Sequence, residues 1–237
     1  MRKDYLDETK IKDTIARLAV RIEERFPGSG LGRVARRLDE ATAQTAEVVA
    51  RIDRPDWLLR AGVASFVLLV LVVLAYTVSR MEIAMTRLTL SDLVQISEAA
   101  LNDVALIGAA LIFLVSIETR AKRRRVIAAI NTLRSIAHVI DMHQLTKDPH
   151  AVKEVGIPTA HSPTRELSAF ELGRYLDYCS EMLSLTAKVG YLYAQRFPDT
   201  VAVDAVNELE TLCTGLASKI WQKIMILPLD QRPRTAQ

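Results

Sequence analysis

Cysteine, glycine, proline and aromatic side chains are all scarce in this chain, and each shortage removes a class of protein. The two cysteines, Cys179 and Cys213, stand 34 positions apart with no CxxC spacing and no histidine beside them. A disulfide framework or a zinc knuckle therefore has no basis, and both are read as buried small hydrophobes. Aromatics make up 5% of 237 residues, with 9 glycines and 8 prolines, which leaves out collagen-like, low-complexity and disordered chains. Charge is balanced as well. Against 31 lysines and arginines stand 28 acids, a net +3, too mild to imply a nucleic-acid partner. No GxGxxG, GxSxG, HExxH or DxDxDG pattern occurs, so nucleotide binding, serine hydrolysis and EF-hand calcium have no sequence basis. No apolar core lies between Met1 and Trp57, so a cleavable signal peptide is not expected and residues 1–56 are read as mature structure.

What the chain does have is hydrophobic residues, half of the total, gathered in two long runs. Residues 61–79 are nineteen uncharged positions, and with 58–60 they reach the roughly 20 residues that cross about 30 Å of hydrocarbon. Trp57 and Tyr76 stand near the two ends, where interfacial rings prefer to sit. The second run, 104–117, has fourteen uncharged residues and must be extended back to about 99 to span. The intervals 58–79 and 99–119 are therefore read as two transmembrane helices joined by an outer loop at 80–98.

Arg120, Lys122, Arg123, Arg124 and Arg125 follow the second run, and Arg51 and Arg54 precede the first, while the loop between carries Arg80 and Arg87. The positive-inside rule puts both termini in the cytoplasm of a cell with an inner membrane. The cluster from Arg120 to Arg125 is a candidate site for anionic lipid headgroups, each cation there being worth about 1 kcal/mol.

The remainder reads as helix. Ile11, Ile15, Leu18, Ile22 and Phe26 recur at helical spacing and stop at Pro27 and Gly28. Leu31, Val34, Leu38, Ala41, Thr45, Val48 and Ile52 then alternate three and four apart, a narrow seam of coiled-coil type. These two segments predict an N-terminal hairpin. Nothing breaks a helix between Gly108 and Pro149, so the second span is expected to run on into the cytoplasm as one rod of about 60 Å over that interval, its cytoplasmic part keeping Val126, Ile130, Leu133, Ala137 and Ile140 on one arc. A C-terminal hairpin is expected from two further seams: Leu172, Leu176, Cys179, Leu183, Thr186, Gly190, Tyr193 and Phe197, then Val206, Leu209, Cys213, Leu216, Ile220 and Ile224. Each hairpin turns at Arg-Phe-Pro, read as two uses of proline as a helix stop. The stretch 146–164, with three prolines, is long for a loop in a compact bundle.

Few residues suggest chemistry. All four histidines, His138, His143, His150 and His161, fall within 24 residues. His138 and Asp141, three apart on one face, have the spacing of a shared divalent metal, with His143 a third candidate ligand about 140° round the helix. The competing reading makes Asn131, Arg134, His138 and Asp141 a polar stripe flanking the apolar arc. Asn102 and Asp103 stand at the outer end of the second span, where a carboxylate normally faces protein or water; either they ring a pore mouth in a homo-oligomer, or the span starts late and leaves Asp103 among the headgroups. Ala105, Gly108 and Ala109 form a small-residue face suited to close helix approach.

The expectation is thus an all-α protein: two transmembrane helices plus a cytoplasmic bundle made of an N-terminal hairpin, an extension of the second span and a C-terminal hairpin. The domains are 1–56, 57–119 and 120–237. The expected role is non-enzymatic, a self-associating membrane scaffold or regulator with a lipid bilayer, a second copy and a cytoplasmic protein as partners, and with no resident cofactor and no nucleic acid. The alternatives are a homo-oligomeric ion pore lined by the second span and a membrane-anchored metal-dependent enzyme.

Overall fold

The computed structural model describes residues 6–53, 57–80, 90–147, 149 and 167–227. Six helices and no strand occur among them: α1 (Glu8–Arg25), α2 (Gly30–Asp53), α3 (Trp57–Arg80), α4 (Leu90–Leu145), α5 (Ala169–Arg196) and α6 (Thr200–Ile226). The chain divides into two compact units. Residues 1–53 and 125–237 form a helical bundle, and residues 54–124 form the other unit. Helix α4 contributes its last part, from Arg125, to the bundle.

Each helix of the bundle starts and stops for local reasons. Asp7 caps α1 by accepting from the Thr9 and Lys10 amides. Ser168 and Glu171 form a reciprocal capping box at the start of α5, and Asp199 caps α6 through the Ala202 amide. Both Arg-Phe-Pro turns close in the same way. Phe26 and Phe197, barred from α geometry by the proline that follows, lie at φ/ψ of −131°/68° and −132°/83°, each amide donating at 2.8 Å to the carbonyl four residues back. After the first turn Gly28 takes φ +69°, a left-handed conformation that favours glycine. Glu23 holds that turn, accepting from the Gly28 amide and pairing with Arg36 at 2.8 Å. Its carboxyl lies below the usual range, first through the Gly28 amide and then through Arg36.

Packing follows the apolar stripes of α1 and α6 and the arc of α4 beyond Arg125 as read from spacing. Ile11, Ile15, Leu18, Ile22 and Phe26 are buried, as are Val126, Ile130, Leu133, Ala137 and Ile140, and the six apolar positions from Val206 to Ile224. Two elements differ from expectation. Among the described residues of α2, which leave out the Ile52 side chain, Leu31, Gly32, Val34, Ala35, Leu38, Thr42, Thr45 and Val49 are buried, with Ala41 and Val48 only partly covered. Leu31, Ala35, Leu38, Thr42, Thr45 and Val49 still alternate four and three, so the covered face keeps the period of the seam but lies to one side of it, taking in the row at 35, 42 and 49 more fully than that at 41 and 48. On α5 the buried set is far wider than one seam and includes Tyr175, Tyr178, Met182, Leu185, Val189 and Leu192 as well. Helix α5 is the centre of the bundle and packs on α1, α2 and α6, while Leu133 of α4 reaches Gly190.

Two close fits fix α5. A Cβ at Gly190 would come within 2.7 Å of Leu209 Cδ2, so glycine lets α5 and α6 approach. The Tyr193 hydroxyl and Thr45 Oγ1 are hydrogen-bonded at 2.9 Å, joining α5 to α2 inside the core.

The interval 80–98, expected to be an outer loop, contains the start of α4. Helix α4 begins at Leu90, because residues 90–101 carry neither proline nor glycine and nothing stops the helix there. Residues 81–89, and the loop at 146–164 apart from 146, 147 and 149, lie outside the described residues.

Candidate functional site

Unit 54–124 holds the apolar runs. Among the described residues α4 is long and apolar enough to cross a membrane over the portion that begins at Ala100, and α3 carries a shorter apolar stretch, Ala61–Val73. None of the membrane-length window on α4 is buried. Leu101, Val104, Leu106, Ile112 and Phe113 are 60–74% exposed. Such a surface is stable in water only if something covers it. Asn102 and Asp103 are exposed on the same helix, and a Cβ at Gly108 would meet nothing within 4 Å. Beyond Ile117 the basic cluster begins. Arg120, Arg124 and Arg125 are exposed and Arg123 half-buried, while Lys122 pairs with Glu118 at 2.7 Å one turn earlier.

The histidine region sits at the end of α4, within the bundle. His138 is exposed and Asp141 and His143 are half-buried. Asp141 accepts from the Gln144 amide at 2.6 Å. His143 instead lays its imidazole against Gly30, the first residue of α2, where a Cβ would strike the ring. Asp141 and His143 thus turn to different neighbours, and among the described residues no group of three or more His, Cys, Asp or Glu side chains is placed to hold a metal ion. His150 and His161 lie outside the described residues. The His143 pKa lies below its ordinary value, first through burial and then through Arg33 and Lys147.

The same helix end is clamped by neighbours that spacing does not reveal. Lys223 of α6 donates to the Gln144 and Lys147 carbonyls at 2.7 and 3.2 Å. A cation there satisfies free carbonyls and complements the negative end of the helix dipole. The Lys147 ammonium also lies 5.3 Å from the Tyr175 ring centroid on α5.

A second cluster was not anticipated from the sequence. Tyr178 on α5 lies between the guanidinium groups of Arg21 and Arg174, 5.2 and 5.0 Å from its ring centroid. Phe26 meets the same ring edge-on at 6.3 Å. Burial alone would raise the Tyr178 pKa, but hydrogen bonds from Arg174 and Arg25 outweigh it and the net shift is downward. Carboxylates close the cluster: Arg21 pairs with Glu181 at 3.2 Å and Arg174 with Asp177 at 3.1 Å. The i, i+4 spacings of Arg21–Arg25 and Arg174–Tyr178 are legible in the sequence, but the pairing of α1 with α5 that joins them is not.

Both cysteines are buried free thiols. Burial pushes Cys179 up to about 12 and Cys213 up to about 11, so neither offers a thiolate nucleophile near neutral pH.

The chain matches no protein-family model, no curated protein and no solved structure.

Proposed function

We propose that this chain is an integral protein of a bacterial-type inner membrane. In this reading residues 58–79 and 99–119 cross the bilayer, both termini are cytoplasmic, and the bundle is a self-associating scaffold or regulator without enzymatic activity. The observation that carries it is the bare apolar surface of α4, from Leu101 to Phe113, in a chain whose bundle covers the apolar stripes of its helices and leaves only scattered apolar side chains exposed. A chain that folds its core this completely has no physical reason to leave a helix of that length bare in water, and lipid is the solvent that removes the cost.

Three further features support the reading. Helix α3 exposes Leu68, Leu69, Leu71, Val72 and Val73 in succession, apolar on every side as a lipid-facing helix is. The cations from Arg120 to Arg125 follow the second span at headgroup depth, and their excess over Arg80 and Arg87 supports the orientation. Helix α4 runs on without a break to Leu145, so the bundle and the span share one element.

Membrane fractionation tests the assignment. The intact chain is expected in the pellet after high-speed centrifugation and after an alkaline carbonate wash, and to leave it only with detergent. Recovery of folded chain in the detergent-free supernatant would refute the assignment.

A further inference from the structure

At one end of the bundle the last turn of α1 and the capped start of α5 lie side by side, and a cavity of about 520 Å³ opens between them. Arg21, Glu24 and Arg25 line it from α1, and Glu171, Arg174 and Tyr178 from α5. Every lining residue is charged or phenolic.

The donors in it outnumber their partners. Arg25 and Arg174 both donate to the Tyr178 hydroxyl oxygen, and Arg21 and Arg174 stand 5.2 and 5.0 Å from the centre of its ring. Three guanidiniums are thereby gathered about one phenol. Arg21 and Arg174 each give one nitrogen to a carboxylate, of Glu181 and Asp177 respectively, and the remaining N–H groups of each are left to bind something else. Arg25 pairs with no carboxylate among the described residues; its guanidinium lies over Phe170, 5.5 Å from the ring centroid. Tyr178 is 3% exposed, yet among the described residues its hydroxyl proton goes to no acceptor.

The sign of the missing partner follows from the charges around the phenol. Glu171 is committed to the Ser168 amide and hydroxyl, each at 2.8 Å, and Glu24 is exposed to water. At the Tyr178 oxygen the guanidiniums prevail, since they draw its pKa down although burial acts the other way. An acceptor-only anion meets every one of these needs.

We propose that this cavity binds the phosphate group of a small soluble phosphorylated molecule, held by Arg21, Arg25 and Arg174 with the Tyr178 hydroxyl as a fourth donor. A carboxylate has one charge and two oxygens and is satisfied by a single guanidinium fork, whereas three guanidiniums and a phenol match a dianion with three free oxygens. Lipid headgroups are the other source of phosphate, and distance argues against them. The chain leaves the bundle for its first apolar run only after Asp53, and the 24 residues of α2 put about 36 Å between that point and this end. Bound phosphate ties α1 to α5 and gives the bundle an input from solution, which goes beyond the membrane assignment and does not rest on it.

The test uses the full chain in detergent and titration calorimetry at matched ionic strength, with inorganic phosphate, acetate and phosphatidic acid in mixed micelles as probes. Phosphate is expected to bind, and acetate to bind more weakly. Arg25→Gln should weaken phosphate about tenfold and Tyr178→Phe about fivefold, while Lys219→Gln, an exposed cation on α6, leaves it unchanged. Circular dichroism without phosphate checks that each variant keeps its helices. Binding of phosphatidic acid should be indifferent to Arg25→Gln; its loss there would make lipid the source and overturn the soluble ligand. Absence of phosphate binding, acetate binding as tightly, or wild-type affinity in Arg25→Gln and Tyr178→Phe overturns the site, and none of these results touches the membrane assignment.

Discussion

The bundle and the unit of residues 54–124 are made from the same aliphatic residue types, yet they treat them in opposite ways. In the bundle Ile130, Ile140, Leu176 and Leu209 are fully covered, each on one face of a helix whose other face is polar. In the other unit Leu68, Val72, Leu101 and Leu106 are more than half exposed, on helices with little or no polar face over those stretches. Burial is therefore governed by periodicity and not by hydrophobicity itself: a striped helix finds its cover within the chain, and an unstriped one is left bare by it.

The sharpest way to break this contrast is to remove the same atoms in both places. Leu176→Ala should destabilise the bundle by about 2–5 kcal/mol, whereas Leu106→Ala should leave bundle stability within about 0.5 kcal/mol. Chemical denaturation in detergent, followed by far-ultraviolet circular dichroism, measures both. A large loss from Leu106→Ala would mean that α4 packs against protein there. The second test adds charge. Leu106→Arg should cost about 2.5–3.5 kcal/mol of insertion free energy and lower the membrane-integrated fraction. Quantitative fractionation reads that loss, and the exposed bundle position Lys219 serves as the control for a substitution to Arg.

Within the bundle, Gly190→Ala forces Leu209 aside and should cost about 1–3 kcal/mol by the same denaturation assay. Gly215→Ala on α6 meets open space and should be neutral or slightly stabilising. The smallest effect concerns His143. Its folded pKa is depressed from 6.5, so the unfolded chain binds the proton first. The contribution of neutral His143 is complete above that pH and is lost as pH falls from it through the depressed folded value. Stability measured across this range should fall in the wild type and fall less in His143→Gln.

Much of this architecture was legible because it is local. The stripe from Ile11 to Phe26, the arc from Val126 to Ile140 and the seam from Val206 to Ile224 all emerge from spacing alone, and the buried residues coincide with them. The Arg-Phe-Pro stops were equally plain, since proline acts on its own neighbours. What could not be read was whatever depends on which helices meet. The wide burial of α5 requires partners on several sides, and period alone cannot distinguish a central helix from a peripheral one. On α2 the period was legible but the direction was not: whether the row at Ala35, Thr42 and Val49 or that at Ala41 and Val48 is covered depends on where α1 and α5 pack against it. At the candidate site His138 and Asp141 do share a helix face, but the neighbour of His143 is Gly30, more than a hundred residues away in sequence. The Arg21, Arg174 and Tyr178 cluster escaped for the same reason.

The claim on which the rest depends is that lipid covers the helices the bundle leaves bare. Paired topology reporters test it most directly, one inserted at Thr86 between α3 and α4 and one fused after Gln237, each with an enzyme active on only one side of the membrane. The account predicts that the Thr86 reporter is active outside and the Gln237 reporter inside. Two reporters active on the same side would contradict it.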